Sequence, residues 1–317
     1  MSEIVINAQN LSKNFYNFDS RLPFIKRFLK RNQITIRAVQ DISFTIKRGS
    51  IVGFIGSNGA GKSTTIKMLT GTLYPSSGKL EVNGEIPFKR SINFRKKISI
   101  VVGNKLQLFQ DVSAMDYFQL IGTLYEVEPA ILQERIQELS NLLNVKDQLY
   151  QQVRTLSLGQ KMKMEFIAAS LTSPEILFLD EPTIGLDIQS KKDIRTFLKK
   201  MNEECHTTII LTSHDMDDIS SVCDELIVID KGKIILQESM DVILSKFSDF
   251  KYLKIKMTLD LVPELCSVKG VVVISQTKSE CILKIPRDFV FETLESINKL
   301  VDIEDFEISN LSLEEII

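Results

Sequence analysis

The loop pattern G-x-x-x-x-G-K-[ST] is matched at every constrained position by Gly56-Ser57-Asn58-Gly59-Ala60-Gly61-Lys62-Ser63-Thr64. Residues 51–55 before it form a short apolar run typical of a buried strand, and residues 65–69 continue it as an apolar-periodic helix. In such a loop, backbone N–H groups and the positive end of the helix face phosphate oxygens. We expect Lys62 to reach the β- and γ-phosphates and Ser63 to ligate Mg²⁺. The sequence therefore predicts a nucleotide-binding protein rather than a glycine-rich turn with an incidental lysine.

Bulk composition excludes several classes of protein. The chain has 317 residues, enough for about two domains, and its net charge of −2 lacks the basic excess of nucleic-acid binders. The cysteines lack the CxxC spacing of zinc sites and indicate reduced thiols in a cytosolic protein: Cys205, Cys223, Cys266 and Cys281. The N-terminus has no signal-peptide pattern, and no apolar run is long enough to span a membrane. We expect a soluble chain whose membrane role, if any, requires a partner.

An α/β core surrounds the phosphate loop. Residues 4–16 and 38–55 carry strand-like alternation, and residues 105–172 are rich in helical spacing. Residues 176–180 form a continuous apolar run ending in acid, which suits a parallel strand buried on both faces, and residues 207–211 and 226–229 repeat the type. A turn at Asn83-Gly84 predicts a hairpin.

Two features near the N-terminus have open interpretations. Phe15 or Tyr16 can stack on an adenine ring, or can pack inside the small sheet instead. Residues 21–31 place apolar side chains on one face of a helix and Lys and Arg side chains on the other. Such a helix can lie on an anionic membrane, dock on a partner, or pack on its own domain.

The sequence changes character after about residue 239. Residues 252–257, 271–275, 281–285 and 303–308 read as strands and residues 288–300 as a helix, with a second short helix at 260–267. This order resembles a split βαββαβ unit, the ferredoxin-like arrangement. We therefore expect residues 239–317 to form a small α+β regulatory or interaction domain.

Two adjacent acids, Asp180 and Glu181, close the central apolar run. An acid at the carboxyl end of a core strand beside a phosphate loop can hold Mg²⁺, directly or through its coordinated water. Glu181 can act as general base toward the attacking water. The alternative is a helix N-cap with a solvated neighbour.

Four further segments occur in a specific order. They are Leu156-Ser157-Leu158-Gly159-Gln160, the run 176–183, Ile184-Gly185-Leu186-Asp187 and Thr212-Ser213-His214-Asp215. With the phosphate loop, they resemble the ATP-binding subunit of an ABC transporter over about residues 1–235. The motif sequences LSLGQ and ILFLDEPTIGLD resemble those of the exporter-like group of subunits, which work with separate ABC-2-type permeases. The resemblance implies an α/β P-loop NTPase fold over residues 1–238, with a mixed sheet core, a small antiparallel β subdomain and a helical subdomain at about 105–172.

The resemblance also implies roles for these residues. Residues 56–64 become the Walker A loop, residues 176–181 the Walker B strand, and Glu181 the catalytic glutamate. The signature loop, which in this family contacts the γ-phosphate of ATP on the opposite subunit, comprises Ser157, Gly159 and Gln160. Asp187 is the acid at the dimer seam, and His214 is the switch histidine that hydrogen-bonds the γ-phosphate. A head-to-tail dimer is then obligatory for hydrolysis.

Two positions depart from the family pattern. Leu158 stands where the common signature has Gly, which adds a side chain at the dimer interface. The glutamine-loop position after residues 98–102 is occupied by Asn104, with Gln107 three positions on. Asn104 supplies the same amide oxygen to Mg²⁺ or the lytic water, and Gln107 is the rival.

The function implied is ATP-driven transport with Mg²⁺ as the metal. Two ATP-binding subunits, identical or different, would pair and drive an integral membrane permease through about residues 105–125, at the cytoplasmic face of the cell membrane. The alternatives are a soluble ABC ATPase acting on ribosomes or DNA, and an importer subunit. No nucleic-acid partner is expected. The transported substance is set by the permease, so it lies beyond this chain.

Overall fold

The structure is a computed structural model that describes residues 3–18, 33–213, 215–248, 250–257, 271–277, 280–300 and 303–309. The chain divides into two compact units, residues 1–238 and residues 239–317. The helices predicted at 21–31 and 260–267 lie outside the described residues.

The first unit contains strands and helices in alternation. Its strands are β1 (Ile4–Phe18), β2 (Gln33–Lys47), β3 (Ile51–Ile55), β4 (Ser77–Val82), β5 (Ile98–Val102), β6 (Ile176–Asp180), β7 (Thr208–Thr212), β8 (Glu225–Asp230) and β9 (Lys233–Ser239). Its helices are α1 (Lys62–Leu69), α2 (Ile92–Lys97), α3 (Ala114–Leu124), α4 (Pro129–Leu142), α5 (Leu158–Ser170), α6 (Ile188–Cys205) and α7 (Met216–Val222). Short 3₁₀ turns occur at Pro87–Lys89, Lys146–Gln148 and Val153–Thr155.

A six-stranded sheet in the order β5-β6-β7-β3-β8-β9 forms the centre of this unit. Strands β5, β6, β7, β3 and β8 pair in parallel, each with its neighbour. β3 and β7 are buried at every residue, as expected for strands inside a parallel sheet that is covered on both faces. The predicted α/β class is confirmed. β3 lies inside the sheet between β7 and β8. Open α/β sheets bind their ligands beyond the carboxyl ends of the strands.

A three-stranded antiparallel sheet, β2-β1-β4, packs against the central sheet. One apolar core joins both sheets and α1, with Ile6 of β1, Phe54 of β3 and Met68 of α1 among its fully buried members. The phosphate loop is thereby anchored between two sheets.

The segment between β5 and β6 is helical, as its spacing predicts. α3 begins with a capping box in which Ser113 and Asp116 exchange hydrogen bonds, and α4 begins with Pro129 at its first position. No helix of the described ranges is long and apolar enough to cross a membrane.

The hairpin predicted at Asn83-Gly84 forms only as a turn. Val82 and Glu85 exchange backbone hydrogen bonds of 2.8 and 3.0 Å around it, but no second strand is formed by the described residues after it. Pro87 lacks an N–H donor and begins a 3₁₀ turn instead. The local turn signal was right, and the strand extension was wrong.

The second unit contains an antiparallel sheet in the order β11-β12-β10-β13. Its strands are β10 (Phe250–Met257), β11 (Val272–Gln276), β12 (Glu280–Pro286) and β13 (Ile303–Ser309), and its helices are α8 (Met240–Ser248) and α9 (Val290–Leu300). β12 lies between β10 and β11, as a split βαββαβ unit requires. The described core is small and apolar, with Leu253, Leu283 and Ile285 fully buried.

Candidate functional site

The phosphate loop occupies the carboxyl end of β3. Gly61 is the N-cap of α1 at φ 115°, a left-handed conformation that favours glycine. Ala60 N donates to Ser57 O at 3.0 Å, so the loop closes on itself. The β8–β9 turn braces it from outside, because Gly232 N donates to Ala60 O at 2.8 Å and Gln40 N of β2 donates to Gly232 O at 2.7 Å.

Lys62 is held inside this loop. Its side chain is 6% exposed, and Nζ donates to Gly56 O at 2.6 Å and to Ser57 O at 3.3 Å. Burial lowers the pKa of Lys62, while the negative charges of Glu181 and Asp180 act to raise it. The ammonium group therefore shares one electrostatic environment with the two acids at the end of β6.

Asp180 is held by two hydroxyl groups. Ser63 Oγ donates to Asp180 Oδ1 at 3.0 Å, and Thr212 Oγ1 donates to the same oxygen at 2.8 Å. Thr212 also accepts from Glu181 N, at 3.1 Å through its carbonyl and 3.0 Å through its hydroxyl. These bonds fix Glu181, whose backbone is left-handed at φ 53°. Neither acid caps a helix, since α6 begins only after Asp187.

Thr212 was not predicted as a site residue. The signal available was its position at the end of an apolar strand of the same type as β6. The parallel register pairs Asp180 with Thr212 directly.

Asn104 and Gln107 border a cavity of about 760 Å³ that Ser63 and Asp180 also line. The Gln107 amide is turned back along β5, where Nε2 donates to Ile100 O at 2.9 Å. The structure thus places both candidate amides near the phosphate loop, with Gln107 committed to a backbone partner.

The signature-loop residues form a second cluster with Asp187. Ser157 caps α5, and its exchange of hydrogen bonds with Gln160 completes a capping box at 2.9 and 3.2 Å. Asp187 caps α6 by accepting from Ser190 N at 2.8 Å and Ser190 Oγ at 2.7 Å, and these bonds lower the pKa of Asp187. The two helix starts touch, because a Cβ added at Gly159 would lie 2.3 Å from Ser190 Oγ.

Leu158, the departure from the signature pattern, is 45% exposed. Its side chain therefore presents apolar surface at the start of α5.

Ion pairs on α6 connect this cluster to the segment after residue 214. On one side, Lys163 of α5 donates to Asp193 at 2.5 Å. On the other, Arg195 Nε donates at 2.5 Å to Asp218, which is 1% exposed and also accepts from Thr183. Sequence patterns gave no sign of this network, because it depends on how α5, α6 and α7 face one another.

The remaining predicted residues stand apart. Phe15 is 39% exposed with the Lys13 ammonium 5.3 Å from its ring centroid, and Tyr16 is 61% exposed. Neither ring is buried in the small sheet, as one interpretation required. His214 lies outside the described residues.

The donor set at the end of β6 fits Mg²⁺. This ion takes one or two carboxylates, keeps several waters and shares substrate phosphates, so it does not need an all-protein cage. The Ser63–Asp180 pair supplies one hydroxyl and one carboxylate at hydrogen-bonding distance. Within the described ranges no group of three or more His, Cys, Asp or Glu could hold a metal by itself.

Comparison with known proteins agrees with this geometry. Residues 39–184 match the family model described as ABC transporter. The chain is 32% identical over 216 residues to the ABC transporter ATP-binding protein NatA of Bacillus subtilis, covering 68% of this chain and 87% of that protein. It is 34% identical over 197 residues to the linearmycin resistance ATP-binding protein LnrL of the same organism, covering 62% and 63%.

A solved structure extends the comparison to the fold. CbiO1 of Clostridium perfringens, part of the ABC transporter complex cbiONQ, superposes with a TM-score of 0.64 at 25% identity, over 77% of this chain and 92% of that one. The resemblance predicted from the motifs is confirmed. This chain belongs to the family of ABC transporter ATP-binding proteins.

Proposed function

We propose that this chain powers an ABC transporter as a peripheral ATPase subunit, through ATP-driven pairing of two such subunits beside a separate membrane permease. The observation that carries the proposal is the convergence of Lys62, Ser63, Asp180 and Glu181 at the carboxyl ends of β3 and β6. Members of this family bind ATP and hydrolyse it, which supplies the nucleotide. No observation favours the ribosome, DNA or importer alternatives.

The proposed chemistry is positioning and charge stabilisation. The ATP phosphates bind the N–H groups of residues 56–64 and the start of α1, and Lys62 neutralises the β- and γ-phosphates. Glu181 serves as general base toward water, with its backbone fixed by Thr212. His214 comes after β7 in the sequence and is proposed to bind the γ-phosphate.

Mg²⁺ is proposed to bind Ser63, Asp180 and the amide oxygen of Asn104. When bound, the ion neutralises phosphate charge and holds the phosphate groups in place. Asn104 is preferred to Gln107 because the Gln107 amide donates to the backbone of β5.

The second cluster is proposed as the contact with ATP on a second ATP-binding subunit. The start of α5 carries the positive end of a helix dipole and suits an anion. Gln160 and Asp187 are both engaged as caps, which fixes the shape of this surface before any partner arrives. Phe15 is proposed to stack on adenine with its exposed face.

The permease contact is proposed at residues 105–125, at the cytoplasmic face of the membrane. Large apolar side chains are exposed there, with Phe109 at 56% and Leu124 at 64%. Export is proposed because the motif sequences resemble those of the exporter-like group. The name of the relative LnrL, which refers to linearmycin resistance, supports the same direction. Residues 239–317 are proposed as a regulatory or interaction domain.

The test combines purification with one substitution. A tagged chain extracted in mild detergent is expected to bring down a polytopic membrane permease. Glu181→Gln is expected to lower ATP turnover at least ~100-fold, because it removes the general base, while ATP binding and pairing persist. Glu203→Gln, an exposed acid on α6, is the matched control and should keep full turnover. Unchanged turnover in E181Q would refute the assigned chemistry, and recovery of ribosomes or DNA without a membrane protein would refute the transport role.

A further inference from the structure

A buried carboxylate on α5 holds the segment that comes after β5. Glu165 is 5% exposed, and its Oε1 accepts from Leu108 N at 2.8 Å and also from Gln107 N. Glu165 lies about two helical turns beyond the start of α5 at Leu158. It has none of the residue roles assigned above.

This carboxylate is costly to bury. No Lys or Arg in the described ranges forms an ion pair with Glu165, and desolvation raises its pKa while the two backbone N–H bonds lower it. A buried charge without a counter-ion is expensive, and hydrogen bonds from backbone N–H groups offset only part of that cost. Its contacts on the segment therefore indicate a positional role.

The segment between Asn104 and Leu108 is held at both ends. At the β5 end, Gly103 N donates to Asp180 O at 2.9 Å, and Lys105 N donates to Val102 O at 3.1 Å. At the other end, Glu165 accepts hydrogen bonds from the backbone N–H groups of Gln107 and Leu108. Asn104 lies between these anchors and shares the 760 Å³ cavity with Ser63, Asp180 and Glu165.

We propose that Glu165 is a positioning residue that ties residues 104–108 to α5 and thereby holds Asn104 beside Ser63 and Asp180. The proposal rests on the proposed function, in which Asn104 is a Mg²⁺ ligand. It adds a residue that acts on the site through the backbone N–H groups of Gln107 and Leu108.

The first test measures the hydrogen bonds themselves. In Glu165→Ala, the Gln107 and Leu108 amides lose their acceptor, so hydrogen–deuterium exchange in residues 104–108 of the full chain is expected to accelerate at least ~10-fold. Glu165→Gln keeps an acceptor oxygen and should fall between the wild type and E165A. Glu175→Gln, a hydrogen-bonded carboxylate outside this cavity, is the matched control and should leave exchange in 104–108 unchanged. Unaltered exchange in both Glu165 variants would overturn the proposal.

The second test asks whether Glu165 acts through Asn104. E165A is expected to lower kcat about tenfold with the KM for ATP within about twofold, because a small displacement of a site residue costs turnover more than binding. In an Asn104→Ala background, E165A should have no further effect. Two results would overturn the proposal. One is that E165A lowers kcat in the Asn104→Ala background by the same factor as in the wild type. The other is a normal kcat in E165A despite faster hydrogen–deuterium exchange. If E165A does not fold, the same comparison is made with E165Q. Failure of the proposed function looks different, since E181Q would then keep its turnover whatever the exchange result.

Discussion

The two ends of β6 carry acids with opposite surroundings. Glu175, just before the strand, is bonded by Arg48 at 2.7 Å, Lys97 at 3.2 Å and Asn83 at 3.0 Å. Asp180, at the far end, is met by the hydroxyls of Ser63 and Thr212. The first acid accepts from cationic and amide donors of its own chain, whereas the second accepts from two neutral hydroxyl groups at the end of the strand where Mg²⁺ is proposed to bind.

The two acids therefore have different roles. The contacts of Glu175 stabilise the fold, and Asp180 lies at the strand end where the proposed chemistry takes place. At Glu175, burial raises the carboxyl pKa, but the hydrogen bonds from Arg48, Lys97 and Asn83 outweigh it and leave the pKa lowered. Ligands of open α/β sheets bind beyond the carboxyl ends of the strands, which is the Asp180 end. The role of an acid in such a sheet therefore follows from its hydrogen-bond partners and from the end of the strand at which it lies.

The largest effect is expected at the carboxyl end. Asp180→Asn removes the charge proposed to hold Mg²⁺ yet keeps an oxygen for the two hydroxyls, so ATP turnover should fall at least ~100-fold. The melting temperature should change by no more than about 4 °C, equivalent to about 1 kcal/mol. Steady-state ATPase assays and thermal unfolding measure both quantities. Retained turnover in D180N would remove the contrast between the two strand ends.

A second substitution moves the strand end without changing a charge. A Cβ on Gly103 would lie 1.8 Å from Glu181 O, so Gly103→Ala must push β5 and β6 apart at the site. We expect a turnover loss of about tenfold or more and destabilisation of about 1–3 kcal/mol.

The control for this change is Gly84→Ala in the turn after β4. Gly84 has φ 74° and no atom within 4 Å of an added Cβ, so the cost is limited to about 1–2 kcal/mol of backbone strain. Turnover should remain normal. Equal loss of activity in G84A and G103A would show that general destabilisation, and not the strand end, sets turnover.

The smallest effect is expected at the amino end. Glu175→Gln should cost about 1 kcal/mol of unfolding free energy, since the ion pairs are partly exposed, and should leave turnover unchanged. The folded-state pKa of Glu175 is lowered, so its stabilisation is present above its ordinary value of 4.5 and is lost as the pH falls through the folded value. Urea unfolding measured over this pH range should show the unfolding free energies of the wild type and E175Q converging at acid pH. A constant gap would mean that Glu175 stabilises the fold through packing instead of charge.

Much of this site could be predicted from local sequence, because each local element carries its own signal. The phosphate loop, the acid after β6 and the capped starts of α5 and α6 are each encoded by a few adjacent residues. Thr212 and Glu165 could not be predicted in the same way. Thr212 meets Asp180 through the parallel register of β6 and β7, and Glu165 meets Leu108 across 57 positions of chain.

The choice between Asn104 and Gln107 as the glutamine-loop residue also depended on contacts that local sequence does not show. Both carry an amide at suitable positions, and only the fold shows that Gln107 bonds to the backbone of β5. The Asn83-Gly84 turn failed as a hairpin for a related reason. The turn chemistry was local, but the missing strand depended on Pro87 and the 3₁₀ turn that it begins.

The brace on the phosphate loop has a thermodynamic consequence. Gly232 links Ala60 of the loop to Gln40 of the small sheet through two backbone hydrogen bonds, so a change of loop shape at Ala60 disturbs the β8–β9 turn and its contact with β2. Its conformational entropy is therefore lost once, during folding, and not again at each binding event. A preorganised loop keeps more of its contact energy as affinity, and ligand exchange at this end of the molecule need not wait for the backbone to reorder.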